Sequence, residues 1–211
     1  MSQPEDKSGC TLYLLRHGDS RPDNVRRFVG RTDHQLNEKG VAQAGRWRSE
    51  LSGIPFNHIY CSHLKRSLET ARIIRAENET PITVLPDLAE INLGRWDGMP
   101  VSEVRRQFPQ EYQLRGADLA GYRPYGGESF ADLSLRVMPA LQSVVQQSVG
   151  NVLISGHAGV NRVILCHLLG MPLANLFRLE QEYGCLNILE YTADRWTVRR
   201  MNLPVGDGSY L

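Results

Sequence analysis

Two short apolar runs, Thr11–Leu15 (TLYLL) and Asn151–Ser155 (NVLIS), constrain this chain more than any other feature. Each is almost continuously apolar rather than alternating, the pattern of a strand buried on both faces of a parallel sheet. Each also stops at a corner of small and imidazole side chains. Arg16-His17-Gly18 follows the first run, and Gly156-His157-Ala158-Gly159 follows the second. The segments between them alternate helix and strand patterns. Asn37 caps a helix with Val41, Ala44, Trp47 and Leu51 at helical spacing, and His58–Cys61 reads as a second strand. Leu64–Ala76 predicts a second helix and Pro81–Leu85 a third strand. Val101–Phe108 is a short amphipathic stretch, and 116–127 reads as a surface excursion. Ser129 opens a long helix to about Ser148 with a kink expected at Pro139, and Gly159–Leu169 forms another. Cys185–Tyr191 and Trp196–Met201 are expected to pair as strands. Strands alternating with helices predict an α/β fold around a mostly parallel sheet.

Composition narrows the function classes. At 211 residues and 41% hydrophobic, the chain can bury a sizeable core in one domain, taken as residues 10–211 behind a polar tail, Met1–Gly9. That tail lacks the apolar stretch of a secretory signal, and no apolar run is long enough to span a membrane. Cys10, Cys61, Cys166 and Cys185 are dispersed, which suits a reduced, cytoplasmic protein with these thiols in its core. A net charge of +1 gives no bulk attraction for nucleic acid. The cations are skewed, however: Lys occurs only at 7, 39 and 65, so 21 of 24 are Arg. Codon bias alone would give that skew, but so would recognition of phosphate or carboxylate by the guanidinium fork.

Ligands of open α/β sheets bind at the carboxyl ends of the strands. Three predicted strands end there in functional groups: Arg16-His17, Ser62 leading to Arg66, and His157. A neutral imidazole is a competent nucleophile toward phosphorus. Phosphoryl transfer otherwise needs positive charge and hydrogen-bond donors around the phosphoryl oxygens. Arg16, Arg66 and His157 suit that cage, with backbone N–H groups of the following helix beside them. Glycines 18, 156 and 159 are expected to let the backbone approach the phosphate.

Five segments in order resemble the motifs of the histidine phosphatase superfamily, in its phosphoglycerate-mutase-like branch. They are Leu-Leu-Arg16-His17-Gly18, Ser62-His-Leu-Lys-Arg66-Ser-Leu-Glu-Thr70, Glu90-Ile-Asn-Leu-Gly94-Arg-Trp96-Asp-Gly98, Gly126-Gly-Glu128-Ser129 and Ser-Gly-His157-Ala-Gly159. The resemblance runs from about residue 11 to 203 and implies a three-layer α/β/α sandwich. It makes His17 the transiently phosphorylated nucleophile, places Arg16, Arg66 and His157 in the phosphate pocket, and makes Glu90 the proton donor to the leaving group. A carboxyl beside a phosphate and shielded from water is expected to have a raised pKa. Arginines beside His17 are expected to lower its pKa, giving a bell-shaped pH profile.

Weaker features follow. Asp19 stands where the branch more often has Glu. Asp23 holds the position of a family Asn, so Asn24 becomes the candidate phosphate ligand, with Gly30 and Ala158 lining the pocket. Arg26, Arg27 and Arg31 either meet an anionic substrate or are solvated. Ser129 reads as a helix cap, and Glu128 ranks behind Glu90 as the acid. Tyr122, Arg123 and Tyr125 either select the leaving group or pack over the core. No metal or cofactor is implied. The expected function is a metal-independent phosphomonoesterase acting on a small phosphorylated metabolite. Alternatives are a phosphoglycerate mutase and, more remotely, a non-catalytic phosphate-binding scaffold, with a homodimer through edge strands left open.

Overall fold

In the computed structural model, which describes residues 9–77 and 79–206, six strands form one sheet in the order β3-β2-β4-β1-β5-β6. They are β1 (Cys10–Arg16), β2 (Phe56–Cys61), β3 (Ile82–Val84), β4 (Gly150–Gly156), β5 (Leu186–Thr192) and β6 (Arg195–Leu203). β1, β2, β3 and β4 are joined by parallel pairings, while β5 joins β1 antiparallel and turns back into β6. The helices are α1 (Glu38–Glu50), α2 (Lys65–Arg75), α3 (Val101–Gln107), α4 (Pro109–Ala117), α5 (Phe130–Gln147) and α6 (Ala158–Leu168). Of the predicted tail Met1–Gly9, only Gly9 lies within the described residues.

The apolar runs account for this layering. β1 and β4 lie side by side in the middle of the sheet, where both faces must be covered. Leu12, Leu14, Val152 and Ile154 enter a core shared with Leu133, Val137 and Leu141 of α5 and Val160, Val163 and Ile164 of α6. Tyr13, Leu15 and Leu153 face the opposite way, onto Trp47 of α1 and Ala71 and Ile74 of α2. The result is the three-layer α/β/α sandwich. Each buried leucine or isoleucine contributes roughly 1.5–3 kcal/mol on leaving water.

Three local expectations change. Val41 is exposed, and Gly40 takes the buried place on α1. The helix presses there onto the chain after β1, because a Cβ on Gly40 would stand 2.1 Å from the Asp19 carbonyl oxygen. α4 was not expected; Pro109 starts it, and it buries no residue, so it leaves no apolar stripe in the sequence. α5 continues through Pro139 to Gln147, its start fixed by a reciprocal cap between Ser129 and Asp132.

Register positions the chemistry. Arg16 pairs with Gly156 at the carboxyl ends of β1 and β4, so His17 and His157 leave the sheet from adjacent strands at the same level. The His17 N–H donates to the Gly156 carbonyl at 3.1 Å, and the two imidazole centres stand 5.1 Å apart.

Candidate active site

Four chain segments meet at this corner. α2 delivers Arg66 in its first turn, and two hydroxyls beside it fasten that turn to the sheet. Ser67 Oγ donates to the Ser155 carbonyl at 2.6 Å, and Ser155 Oγ donates to the Ser67 carbonyl at 2.9 Å. One turn later, Thr70 Oγ1 accepts the Gly18 N–H at 3.2 Å. The Arg66 guanidinium is 1% exposed and spends all three nitrogens. Nη1 donates to the Thr32 carbonyl at 2.7 Å, Nη2 to the Gly30 carbonyl at 2.6 Å, and Nε to His17 Nε2 at 3.2 Å.

His17 is thereby fixed in one tautomer. Its Nδ1–H donates to the Gly18 carbonyl at 2.7 Å, which leaves the Nε2 lone pair toward Arg66. Burial holds the imidazole well below the ordinary histidine range, and Arg66 and then Arg16 push it further down, against the opposing Gly18 bond. Burial, rather than the expected arginines, is the largest cause.

Arg16 is oriented by a frame that sequence reasoning missed. Its Nη1 donates to the Gln181 carbonyl at 2.5 Å, and its guanidinium carbon lies 3.6 Å from the centre of the Tyr183 ring. Gln181 is itself locked by buried amides: Asn161 and Asn187 each donate to its Oε1 at 3.0 Å. Arg16 Nε remains buried without a partner. His157 is in the same condition at Nδ1, while its Nε2 meets Ser62 Oγ at 2.7 Å. Ser62 Oγ also accepts the Leu64 N–H; its proton and second lone pair serve either tautomer of His157, and it donates to Nε2 when the ring proton is on Nδ1. Burial, then Arg66 and His17, hold His157 well below the ordinary range too. Ser62 was readable only as the residue at the end of β2; its bond to His157 had no sequence signal.

Glu90 reaches the corner from the loop after β3. It is 7% exposed; Oε2 accepts the Gly159 N–H at 2.9 Å and Oε1 accepts the Ile91 N–H at 3.0 Å. Gly159 leaves room for this carboxylate, since a Cβ there would stand 2.3 Å from Glu90 Oε1 and push it aside. The glycines at 18 and 156 have other duties: a Cβ on them would meet the Gly40 carbonyl oxygen at 2.4 Å and Asn161 Oδ1 at 2.7 Å. Arg136 of α5 holds the Glu90 loop by donating to the carbonyls of Asp87, Ala89 and Glu90.

Glu128 is displaced from the acid role by the same arginine. Its carboxylate receives Arg136 Nε and Nη2, both at 2.9 Å, and the Asn92 N–H at 2.8 Å. Burial pushes this carboxyl up, but the Arg136 and Asn92 bonds outweigh it and hold it below its ordinary value. A carboxylate so engaged has no proton to give; Glu128 is a brace for the loop. Asn24 lies on the exposed part of its loop, and its side chain makes no hydrogen bond to the corner residues, so the structure does not bring it to the cage. Gly30 serves through its carbonyl, which holds Arg66. Ala158 begins α6 beside His157 and lines the cavity outside the corner. Arg27 is paired with Asp23 at 2.7 Å, and Arg31 approaches Glu128 at 3.5 Å. Tyr122 stacks on Trp96, Arg123 pairs with Asp132, and Tyr125 is exposed, so this trio packs and solvates rather than lining the cavity.

The two neutral histidines link stability to pH. In the unfolded chain both protonate near 6.5, about the free-histidine value, whereas the folded chain holds them neutral to well below it. Below 6.5 the unfolded state therefore binds more protons, and stability falls as pH is lowered from that point. Each histidine contributes a slope of up to about 1.4 kcal/mol per pH unit. Urea unfolding between pH 7.5 and 5.0 is expected to show this loss, and a flat profile there would contradict two neutral imidazoles.

A nucleophilic imidazole and two arginines at the carboxyl end of a parallel sheet define a phosphoryl-handling class. The chain belongs to the histidine phosphatase superfamily: the model of its branch 1 matches residues 12–204. In enzymatic terms it is a phosphoric monoester hydrolase. Among relatives, it is 26% identical over 192 residues to the adenosylcobalamin/α-ribazole phosphatase of Escherichia coli K12, covering 90% of this chain and 95% of that one. It is 30% identical over 189 residues to a probable phosphoglycerate mutase, GpmB, of Yersinia pestis, covering 88% and 86% respectively. The solved structure of Bacillus stearothermophilus YhfR matches with a TM-score of 0.85 at 33% identity, over 92% of this chain and 97% of that one. Among the described residues, no helix is long and apolar enough to cross a membrane.

Proposed function

We propose that the catalytic unit, residues 10–211, hydrolyses a small phosphorylated metabolite through a phosphohistidine on His17, without a metal, in the reducing cytoplasm. The observation that carries this reading is the buried, neutral His17, with Nδ1–H anchored on Gly18 and its Nε2 lone pair available. In the first step Nε2 attacks phosphorus and the bond to the leaving oxygen breaks, with Glu90 supplying that oxygen's proton. Arg66 Nε–H, which now rests on the lone pair, passes to a phosphoryl oxygen. Arg16 Nε–H supplies a further donor, as do His157 in its Nδ1–H tautomer and the first turn of α6 at Ala158; Arg16 Nε and His157 Nδ1 are both buried without a protein partner. In the second step water attacks phosphorus, the P–N bond breaks, and Glu90 takes the water's proton.

The test is phosphate release from alkyl phosphates and p-nitrophenyl phosphate, with and without EDTA, by the wild type and Glu90→Gln. Alkyl phosphate turnover by the variant is expected to fall about 10²- to 10⁴-fold. p-Nitrophenyl phosphate, whose leaving group needs no proton, loses far less. Undiminished alkyl turnover removes Glu90 from the role, and sensitivity to EDTA overturns the metal-free mechanism. Relatives named as phosphatases and as mutases both align along most of the chain. Interconversion of 3- and 2-phosphoglycerate faster than phosphate release would transfer the assignment to the mutase.

A further inference from the structure

One phosphate is satisfied by Arg16, Arg66 and His157, yet the cavity continues past Glu90. It encloses about 480 Å³, enough for an organic leaving group, and Arg16, Glu90 and Gly159 form its inner end. Phe28, Phe130 and Phe177 give it an apolar side. Beside these rings, Arg26, Arg115 and Arg162 line the cavity with no carboxylate within ion-pair reach among the described residues; Arg26 is exposed to water, whereas the other two are not. Arg115 of α4 is half-buried, and among the described residues it has neither a carboxylate within ion-pair reach nor a hydrogen bond from its guanidinium. Its guanidinium carbon lies 5.3 Å from the Phe28 ring centre and 5.5 Å from that of Phe177. Arg162 of α6 lies 5.2 Å from the same Phe177 ring. It donates Nε to the Leu179 carbonyl at 2.8 Å, and among the described residues its two terminal nitrogens have no hydrogen-bond partner. Arg27, which also lines the cavity, is different, because Asp23 already neutralises it.

Desolvated cations without counter-ions are costly unless a ligand supplies the charge. We infer that Arg115 and Arg162 form a second anion subsite, and that preferred substrates are phosphomonoesters whose leaving group carries another anionic group, a carboxylate or a second phosphate. The inference rests on the hydrolase reading, because Glu90 fixes which side of the phosphorus the leaving group occupies. The aromatic rings support the two guanidinium planes and exclude water around the ion contact.

Two matched pairs test it: 3-phosphoglycerate against glycerol 3-phosphate, and propane-1,3-diol bisphosphate against propyl phosphate. In wild type, kcat/KM is expected to favour the anion-bearing member of at least one pair by about 10- to 100-fold, and the pair concerned tells carboxylate from phosphate. Arg115→Met and Arg162→Met should each bring that ratio toward one, and Arg115→Lys and Arg162→Lys should recover part of it. The member of each pair without the second anionic group reports whether a variant still folds. Wild-type ratios near one in both pairs, or Met variants that slow both members equally, overturn the subsite. Absence of phosphate release from all four compounds would instead overturn the hydrolase reading itself.

Discussion

Alanine at position 17 is expected to reduce phosphate release by at least about 10⁴-fold, and to abolish the phosphorylated enzyme that acid-free quenching traps. The size of the effect follows from what surrounds the site. His157 is the nearest other imidazole, at 5.1 Å between ring centres, and its Nε2 is already occupied by Ser62. Glu90 has both oxygens on backbone N–H groups. The charges that attract phosphate remain in His17→Ala, so the variant should still bind inorganic phosphate while failing to turn over. Loss of binding together with turnover would point to a collapsed corner. Turnover within tenfold of wild type, or a phosphorylated variant, would remove His17 from the nucleophile role.

Much of this corner was legible because strand ends are simple. Continuous apolar runs identified β1 and β4 as interior strands, and their equal termini anticipated that His17 and His157 would emerge together. The parallel register of Arg16 with Gly156 makes that juxtaposition, and period-two geometry leaves little freedom once the pairing is set. Arg66 was legible for a related reason, as the first-turn residue of a helix leaving a third strand end. What was not legible depends on contacts between distant segments. Gln181 and Asn187 read as ordinary polar residues near a strand, yet they are almost fully buried and frame Arg16. Glu128 and Glu90 look alike in a sequence of short Gly-flanked loops; only the position of Arg136 on α5 separates the brace from the candidate acid. Asn24 was placed by counting from His17, and a loop without regular geometry does not preserve such counting. Glycines 18, 156 and 159 were singled out for approach to phosphate; that protein atoms from other segments also stand where a Cβ on each would go had no signal in the sequence. Arg115 carried no signal at all, being one of 21 arginines on a helix with no buried face.

Replacing Arg66 is the second large perturbation, and it separates charge from geometry. Arg66→Met and Arg66→Lys are both expected to lower kcat/KM by roughly 10³- to 10⁵-fold, the range for removing an arginine that stabilises a transferring phosphoryl group. Lysine should rescue little, because three diverging donors serve His17, Gly30 and Thr32 at once, and one ammonium cannot span them. The buried Gly30 carbonyl would lose its partner, at about 1–3 kcal/mol, while the half-buried Thr32 carbonyl keeps the His34 N–H. Part of that loss is offset, since Arg66 is itself a buried cation that burial disfavours. The distinguishing readout is the titration of His17. Arg66 follows burial as a cause of its low pKa, so removing the guanidinium favours the imidazolium and moves the value upward. The acid limb of kcat/KM in Arg66→Met should therefore shift toward neutral pH relative to wild type, with the His17 imidazole resonances titrating in step. In Arg66→Lys, where the cation persists, the shift should be smaller even though activity stays low. An Arg66→Met acid limb that does not move would mean that the Arg66 charge does not set the titration of His17, and full rescue by lysine would mean that Arg66 acts as a charge alone and that its three-way hold on His17 and the 30–32 loop has no part in catalysis.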